Sequence, residues 1–356
     1  MANTLAYGFV GLENLFVDRV SDENIEVVRE AIAQSTAEHN RQVEGVMAEF
    51  VEPTEDYTAR FKLAGGGTMQ PLDEYGNPLP VREAGYYDVA FPIQGAGTAF
   101  GDTRVTRALM TVEEANEYTL NTLRRDADWM KRHMLAALFD NVAWTYPDPD
   151  KGDLTIQPLA NGDTVTHIKN NGNQETDDHY LATATAIGDA ANPYTGIFTD
   201  LMEHPVNQGG TVVCYIPTAL KASTLALAAF VDVAQTDVRQ GNDTAVLTGS
   251  IDRGFGDEVL GKVSNCWIVE WTLLPDEHIV AVVRGTQKPV LKQREYPAAS
   301  LKGLFQEDHS PDGNLEEHRF IRYCGFGSYN RVGALIQQVG NATYEIPAGY
   351  GAPLAV

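Results

Sequence analysis

Two short acidic segments and eight scattered histidines contain the side chains of this 356-residue chain that could do chemistry. Asp148, Asp150 and Asp153 place carboxylates at the close spacing that suits calcium, an ion that takes oxygen ligands. The spacing does not match an EF-hand, and the glycine is misplaced. We therefore interpret this segment as an acidic turn and predict no metal site in it.

Acid–base chemistry would need a carboxylate close to a histidine. Asp177, Asp178 and His179 are adjacent in the sequence, but neighbouring carboxylates in a polar segment are usually hydrated. We expect the histidines, including His133 and His309, to lie at the surface and to serve neither as ligands nor as bases.

Motifs for nucleophilic, nucleotide or zinc chemistry do not occur. The sequence has no GxxxxGKS/T, GxSxG, HExxH or paired CxxC. Cys214, Cys266 and Cys324 are far apart and lie in apolar segments, so we expect buried free thiols. We predict no catalytic residue, no metal and no cofactor, and hence a protein that is not an enzyme.

The composition is that of a folded soluble protein, with 43% hydrophobic and 21% charged residues. A net charge of −23 argues against a protein that grips nucleic acid by its phosphates. No apolar run approaches the roughly 20 residues of a membrane span, and no signal peptide is evident. We therefore expect no membrane partner and synthesis in the cytosol.

The longest helical pattern covers residues 111–146 and contains no Gly. Thr111 and Glu114 form a capping-box pattern at its start. Apolar residues recur every three or four positions along one face, which includes Leu123 and Met130. Another face has charges at i,i+4 spacing that can pair in sequence, namely Arg124, Asp128 and Arg132. A helix of about 30 residues is roughly 45 Å long, so we expect it to support something extended.

Two segments before this helix have too little apolar surface to fold alone. Residues 21–50 have a helical period, and we expect a break near residues 38–41 and an end before Pro53. Residues 57–63 and 87–93 alternate as strands, with a Gly- and Pro-rich connection, and Gly95 and Gly97 are predicted turns. A two-stranded arm of this kind is marginal by itself, which favours support from another subunit.

The remaining chain mixes helices and short strands. We predict a strand pair at residues 154–156 and 164–168, a helix from Asn192, a buried strand over Thr211–Ile216 and a helix from Pro217 to about Val233. Short strands separated by Gly and Pro follow to the end, which indicates an α+β fold with antiparallel sheet.

This order of elements resembles the major capsid protein of tailed bacteriophages, with the Hong Kong 97 type fold that encapsulin shells share. The resemblance covers essentially the whole chain and consists of patterns of architecture. The segments that carry it are ARFKLAGGGTMQ through YYDVAFPIQGAG, TVEEANEYTLNTLRRDADWMKRHMLAALFDN, TVVCYIPTALKAS, GKVSNCWIVEWTLLPDEHIVAVVRG and EEHRFIRYCGFGSYNRVGALIQQVG.

The resemblance implies an α+β fold in five parts. These are an N-terminal arm (1–56), an extended loop formed by a β-hairpin (57–107), a peripheral domain (108–215 and 319–345) with a spine helix at 111–143, an axial domain (216–318), and a C-terminal tail (346–356).

The resemblance also implies a shell subunit that forms hexamers and pentamers of an icosahedral virion capsid, which encloses double-stranded DNA and is assembled in the cytoplasm of a bacterial host. Fewer than 60 residues precede the hairpin, so we expect a separate scaffolding protein and no cleaved segment. A portal, a decoration protein and DNA packaged without specificity are the other implied partners. An acidic N-terminal arm, with 12 acidic and three basic residues over 1–56, would repel DNA if it faced the lumen.

Intersubunit contacts are expected from the extended loop, at Arg60, Lys62, Gly65, Gly66, Gly67, Tyr75, Tyr86 and Tyr87. Leu123, Arg124, Asp128, Met130 and Arg132 are expected to give the spine helix its two faces. Some family members cross-link a loop lysine to an asparagine, but no partner for Lys62 is evident and we predict no cross-link. Two alternatives are an encapsulin-like nanocompartment shell and a calcium-dependent carbohydrate-binding or hydrolytic protein.

Overall fold

The computed structural model describes residues 25–48, 50–63, 72–77, 85–103, 111–232, 259–286, 288–309 and 315–354. Within these ranges the chain forms four α-helices, and single 3-10 turns occur at Pro205–Asn207 and Ala299–Leu301. The helices are α1 (Ile25–Met47), α2 (Val112–Phe139), α3 (Pro193–Met202) and α4 (Thr218–Leu225).

Eighteen strands lie in the same ranges, several of them only four or five residues long. They are β1 (Val51–Thr54), β2 (Thr58–Lys62), β3 (Tyr86–Ala90), β4 (Gln94–Thr103), β5 (Trp144–Asp148), β6 (Gly152–Ile156), β7 (Asn161–Ile168), β8 (Gln174–Asp178), β9 (Tyr180–Thr183), β10 (Thr211–Ile216), β11 (Phe230–Asp232), β12 (Val259–Val263), β13 (Cys266–Glu270), β14 (His278–Arg284), β15 (Leu291–Glu295), β16 (Leu304–His309), β17 (Leu315–Ser328) and β18 (Ala334–Val339).

A seven-stranded sheet, in the order β11-β12-β13-β10-β14-β18-β9, separates two layers of core. Alternate residues of β10 point to opposite faces, so Val213 packs in the cluster that contains α2 and Cys214 packs in the cluster that contains α3. Both faces of the sheet are therefore covered by helix, which explains why its central strands are apolar without alternation. The strand expected at Thr211–Ile216 is confirmed.

The second large sheet is built on the long strand β17. Arg322 pairs with β4 on one side and with β16 on the other, and Cys324 pairs with β4 and β15 in the same way. Strands β16 and β15 therefore follow one another along the same edge of β17. Strand β1 adds to β15 in parallel, with Pro53 at the margin of the sheet, where a residue without an N–H is tolerated.

The spine helix α2 begins as the sequence predicts. Thr111 accepts a hydrogen bond from the Glu114 amide, and the Glu114 carboxylate accepts one from the Thr111 amide, so the capping box is confirmed. The helix ends at Phe139, four residues before the predicted end. Asp140 adopts an extended backbone there and accepts a hydrogen bond from the Val142 amide, a local turn that competes with further helix.

Helix α1 is continuous, so the break expected near residues 38–41 is wrong. Within the helix, Glu38 accepts hydrogen bonds from Arg41 and Gln42, three and four residues on. On the other side His39 and Asn40 bind α2 and the β16–β17 pair. These tertiary contacts hold the segment in which the apolar period is weak.

Three predicted local features differ in the structure. The strands at residues 154–156 and 164–168 exist, but they pair with β5 and β8 and not with each other. Gly95 and Gly97 lie inside strand β4 and are not turns. A Cβ at Gly95 would lie 2.8 Å from the Tyr323 ring, so the glycine allows the two strands to approach closely.

The predicted parts of the chain share their sheets. Residues 94–103 of the predicted extended loop form strand β4 in the sheet of β17. The boundary between residues 215 and 216 lies inside β10, and the boundary between 318 and 319 lies inside β17. The segments predicted to form the peripheral and axial domains are therefore joined by continuous sheet. Helix α4 ends at Leu225, earlier than the expected Val233.

Candidate assembly surfaces

The base of the hairpin β2–β3 is fastened to its own chain. Phe61 stacks on Tyr87 at 4.9 Å between ring centroids, and Tyr329 meets Phe61 edge-on at 5.2 Å. The Tyr87 hydroxyl donates to the Tyr329 carbonyl and accepts from the Arg331 amide. Burial raises the pKa of this phenol. Tyr87 is only 7% exposed, so it anchors the hairpin to its own chain and leaves little of its ring for the predicted contact with a neighbouring subunit.

The opposite face of the hairpin is exposed, and an ion pair between its two strands fixes the side chains on it. Arg60 donates two hydrogen bonds to the Asp88 carboxylate, at 2.8 and 2.9 Å, and its guanidinium lies 3.8 Å from the centre of the Tyr86 ring. Tyr86 is 59% exposed, and the side chain of Lys62 is exposed as well. Arg60, Lys62 and Tyr86 thus form an accessible surface, here called the outer hairpin face.

A compact turn at residues 72–77 belongs to the segment between the two strands. One Asp73 carboxylate oxygen accepts hydrogen bonds from the amides of Tyr75 and Asn77, and hydrogen bonds of this kind lower the pKa of Asp73. Tyr75 is 81% exposed, which is unusual for a large aromatic side chain. Gly65, Gly66 and Gly67 lie outside the described residues.

The spine helix has one buried and one exposed side. Met130 is 1% exposed and packs with Met134 and Leu138 in the main core, whereas Leu123 is only partly buried. Arg124, Asp128 and Arg132 are exposed, and in the part of the chain that the structure describes no ion pair joins them. The predicted pairing of these charges along the helix is therefore not formed in the subunit.

A buried charge network joins α1, the spine helix and β17. Arg322 donates to both Asp126 carboxylate oxygens, at 2.6 and 2.7 Å, and His39 Nε2 lies 2.8 Å from the second oxygen. Asn40 accepts from Arg322 at 2.7 Å and exchanges two hydrogen bonds with the Leu304 backbone. Burial raises the pKa of Asp126, but the bonds from His39 and Arg322 outweigh it, so the pKa lies below its ordinary value.

Sequence reasoning missed this network, although a signal for it exists. Asp126 lies three residues after Leu123 and four before Met130, so it belongs to the apolar face of the helix. A carboxylate on that face must be paired when it is buried. Its partners Arg322 and His39 are far away in the sequence and carry no distinctive pattern.

In the acidic turn that was considered as a calcium site, other groups of the protein bind the Asp148 carboxylate. One Asp148 oxygen lies 2.7 Å from Arg294 Nη1, and the other accepts hydrogen bonds from the amides of Asp150 and Lys151. The Asp148 side chain therefore stabilises the turn between β5 and β6 and fastens it to β15.

The expectation that the histidines lie at the surface is wrong for four of them. His167, His179, His204 and His278 are buried. The expectation that Asp177 and His179 form part of a solvated loop is also wrong, because His179 is enclosed between β8 and β9 and Asp177 faces it. Strand pairing on both sides of the segment places these polar residues inside, which the local sequence does not reveal.

The described helices include none that is both long and apolar enough to cross a membrane. All three cysteines are buried and free, as expected from their apolar surroundings.

The overall architecture is shared with a solved structure from Mycobacterium phage Patience. The two chains are 18% identical and align with a TM-score of 0.69, over 97% of this chain and 99% of the other. The chain has the fold of a phage major capsid protein. The resemblance drawn from the order of the sequence elements is thereby confirmed at the level of the fold.

Other solved shells are less similar. The asymmetric unit of the bacteriophage PhiM1 mature capsid is 11% identical, with a TM-score of 0.47 over 81% of this chain and 84% of that chain. The holo-SrpI encapsulin complex from Synechococcus elongatus is 10% identical, with a TM-score of 0.45 over 84% and 88%. No protein-family model and no curated protein matches the sequence.

Proposed function

We propose that this chain is the shell subunit of an icosahedral bacteriophage capsid and assembles into hexamers and pentamers of a shell that encloses double-stranded DNA. The observation that carries the proposal is the structural agreement with the Patience chain over nearly the whole of both chains. The role is structural, and no side chain is assigned a reaction.

The Hong Kong 97 type arrangement is the finer part of this proposal. It is supported by a 28-residue spine helix packed on sheet, by a hairpin whose base is anchored and whose outer face is exposed, and by an N-terminal helix fastened across the spine. The peripheral and axial parts would be two ends of one body, because continuous strands join them.

The hairpin is proposed to rest on the neighbouring subunit. Its outer face offers the Arg60–Asp88 pair, Lys62 and the Tyr86 ring, and the turn at residues 72–77 adds Tyr75. Exposed aromatic rings beside arginine are typical of protein interfaces. Gly65, Gly66 and Gly67 belong to the same proposed contact.

The partners proposed for such a shell are a separate scaffolding protein, a portal, a decoration protein and packaged DNA. The net charge of −23 supports a lumen that does not bind DNA tightly, since carboxylates repel phosphates. The acidic N-terminal arm is proposed to face this lumen. The location is the virion, after assembly in the cytoplasm of the bacterial host.

The first experiment is electron microscopy of the purified chain together with light scattering. We expect closed particles or discrete hexamers and pentamers. A protein that stays monomeric over a wide range of concentration and salt would contradict the proposal. A particle that forms around a protein cargo and excludes DNA would support the encapsulin alternative.

The hairpin contact is tested with a matched pair of substitutions. Tyr86→Asp places a charge on the outer hairpin face, whereas Tyr86→Phe keeps the ring over which Arg60 lies. We expect Tyr86→Asp to reduce the assembled fraction strongly and Tyr86→Phe to change it little, with equal melting temperatures of the dissociated subunits. Equal assembly of both variants would remove Tyr86 from the contact.

A further inference from the structure

Three side chains of the kinds that bind transition metals converge at the end of helix α3. Asp177 is near the end of β8, His179 immediately precedes β9, and His204 precedes the 3-10 turn at Pro205–Asn207. One potential ligand atom from each lies within 4.8 Å of the other two. Asp177 Oδ2 lies 3.0 Å from His204 Nε2 and 4.0 Å from His179 Nε2.

Both imidazole rings are oriented by a backbone carbonyl on the far side. His179 Nδ1 lies 2.7 Å from the Ala334 carbonyl oxygen, and His204 Nδ1 lies 3.1 Å from that of Ile168. A carbonyl only accepts, so each Nδ1 carries the hydrogen, and in a neutral ring Nε2 holds the lone pair. This is the arrangement in which histidines bind metals, with an outer hydrogen bond that sets the tautomer.

The three inward atoms have no hydrogen-bond partner among the described residues. His179 and His204 are 0% and 1% exposed, and their Nε2 atoms, like Asp177 Oδ2, are buried without an aligned donor or acceptor. The contact between His204 and Asp177 is close, but its direction does not suit a hydrogen bond. Burying a polar atom without a hydrogen-bond partner costs free energy, and a ligand bound to all three atoms would remove that cost.

We propose that Asp177, His179 and His204 form a binding site for one divalent transition metal ion, with zinc the best match. Two imidazole nitrogens and one carboxylate oxygen suit zinc, whereas calcium and magnesium prefer sites of oxygen alone. Zinc ligands about 2.0–2.2 Å from the metal lie roughly 3.3 Å apart in a tetrahedron. The 3.0 Å between Asp177 and His204 is close to this value, whereas the 4.0 Å between Asp177 and His179 would shorten when the metal binds.

The surroundings keep the two rings ready to bind. The backbone of His179 is held on both sides, because its amide donates to Ala160 and its carbonyl accepts from Ile336. The Asn170 amide donates to the Glu203 carbonyl, which fixes the corner before His204. Preorganised ligands lose little entropy on binding a metal.

Access to the site is through Asp177, whose side chain is 13% exposed. Lys169 lies beyond it and is paired with Glu203 and Glu175. His167 is buried beside His204, with 6.2 Å between the ring centroids, and neither of its nitrogens has a hydrogen-bond partner in the part of the chain that the structure describes. A water molecule would take the fourth coordination position of the metal ion. A bound ion would join the β7–β8 hairpin to the corner after α3.

The test uses the full chain, freed of metal with a chelator and kept in one assembly state. Zinc is titrated in competition with a chromophoric chelator, and cobalt(II) serves as the spectroscopic probe. We expect one equivalent of zinc per chain, intense visible absorption from four-coordinate cobalt, and a higher melting temperature with zinc but not with magnesium or calcium.

Two variants and a control locate the site. Asp177→Asn and His204→Gln should weaken zinc binding by at least about tenfold. His133→Gln, which changes a half-buried histidine of the spine helix, should leave it unchanged. Wild-type protein that binds no zinc, or an Asp177→Asn variant that binds it as tightly, would overturn the proposal. This outcome does not depend on shell formation, which is measured separately by electron microscopy.

Discussion

At the scale of single residues, the network around Asp126 decides how three elements meet. The carboxylate accepts from Arg322 and lies against His39, and all three side chains are largely removed from water. Burying two charges costs solvation energy that only good geometry repays, so such a pair is more sensitive to loss of one member than to joint replacement. Removing Asp126 is therefore expected to destabilise the fold mainly because it leaves the Arg322 guanidinium buried without an anion.

Replacing Asp126 with alanine would leave the Arg322 guanidinium buried without its anion. We expect Asp126→Ala to lower the free energy of unfolding by about 3–5 kcal/mol. Asp128→Ala removes the same group from an exposed position of the same helix and should change it by no more than about 0.5 kcal/mol. Urea unfolding of dissociated subunits measures both, and equal losses would contradict the role assigned to the network.

The same carboxylate predicts a dependence of stability on pH. Its pKa in the folded chain is lower than in the unfolded chain, where it is about 3.9. The stability it contributes is therefore complete above the unfolded value and is lost as pH falls through the folded one. The difference in unfolding free energy between wild type and Asp126→Asn should shrink as pH falls below about 4. A constant difference down to pH 2 would contradict this.

At the scale of elements, the spine helix has one face buried in the core and one exposed polar face. Its core face packs with residues from α1, from β17 and from the seven-stranded sheet, so the helix links both sheets. The exposed Arg124, Asp128 and Arg132 form no ion pair with one another in the subunit. In the proposed shell this side is free to meet another subunit or solvent.

The two faces predict a graded response to a new negative charge on the helix. Met130→Asp buries an unpaired carboxylate, at a cost of several kcal/mol, and should abolish soluble, shell-forming protein. Leu123→Asp should be milder because Leu123 is only partly buried, and Arg124→Asp should preserve the fold. Solubility, circular dichroism and electron microscopy measure how strongly each of the three variants impairs folding and shell formation. Soluble shells from Met130→Asp would mean that the buried face is assigned wrongly.

At the scale of the whole molecule, the charge sets the conditions for assembly. Subunits with a net charge of −23 repel one another at low ionic strength, and salt screens that repulsion over about 8–10 Å at physiological concentrations. The exposed outer faces of the anchored hairpins are proposed to provide the short-range attraction. Assembly is thus expected to reflect a balance between a screened repulsion and a local apolar and cationic contact.

We predict that raising sodium chloride from about 20 to 200 mM increases the assembled fraction of the purified chain, because the screening length falls over this range. Light scattering measures the fraction at fixed protein concentration. Sucrose at equal osmolarity is the control, since it does not screen charge. Assembly that weakens with salt would indicate that attraction between opposite charges dominates the contacts.

Features whose causes are local could be predicted from the sequence. The capping box of Thr111 and Glu114, the apolar period through Met130 and the proline at the start of α3 each depend on residues within one or two turns. The order of such elements was enough to indicate the capsid fold, which the full-length agreement with the Patience chain confirms.

Other features depend on residues far apart in the chain and could not be predicted before the tertiary structure was known. Asp126 contacts His39 and Arg322, which lie 87 and 196 residues away in the sequence. These contacts support the continuous helix α1 and bury the Asp126 carboxylate of the spine helix. Strand pairing moves Gly95 from a predicted turn into β4 and encloses His179. Periodicity and capping report interactions within about four residues, whereas pairing and burial depend on which distant segments the whole chain brings together.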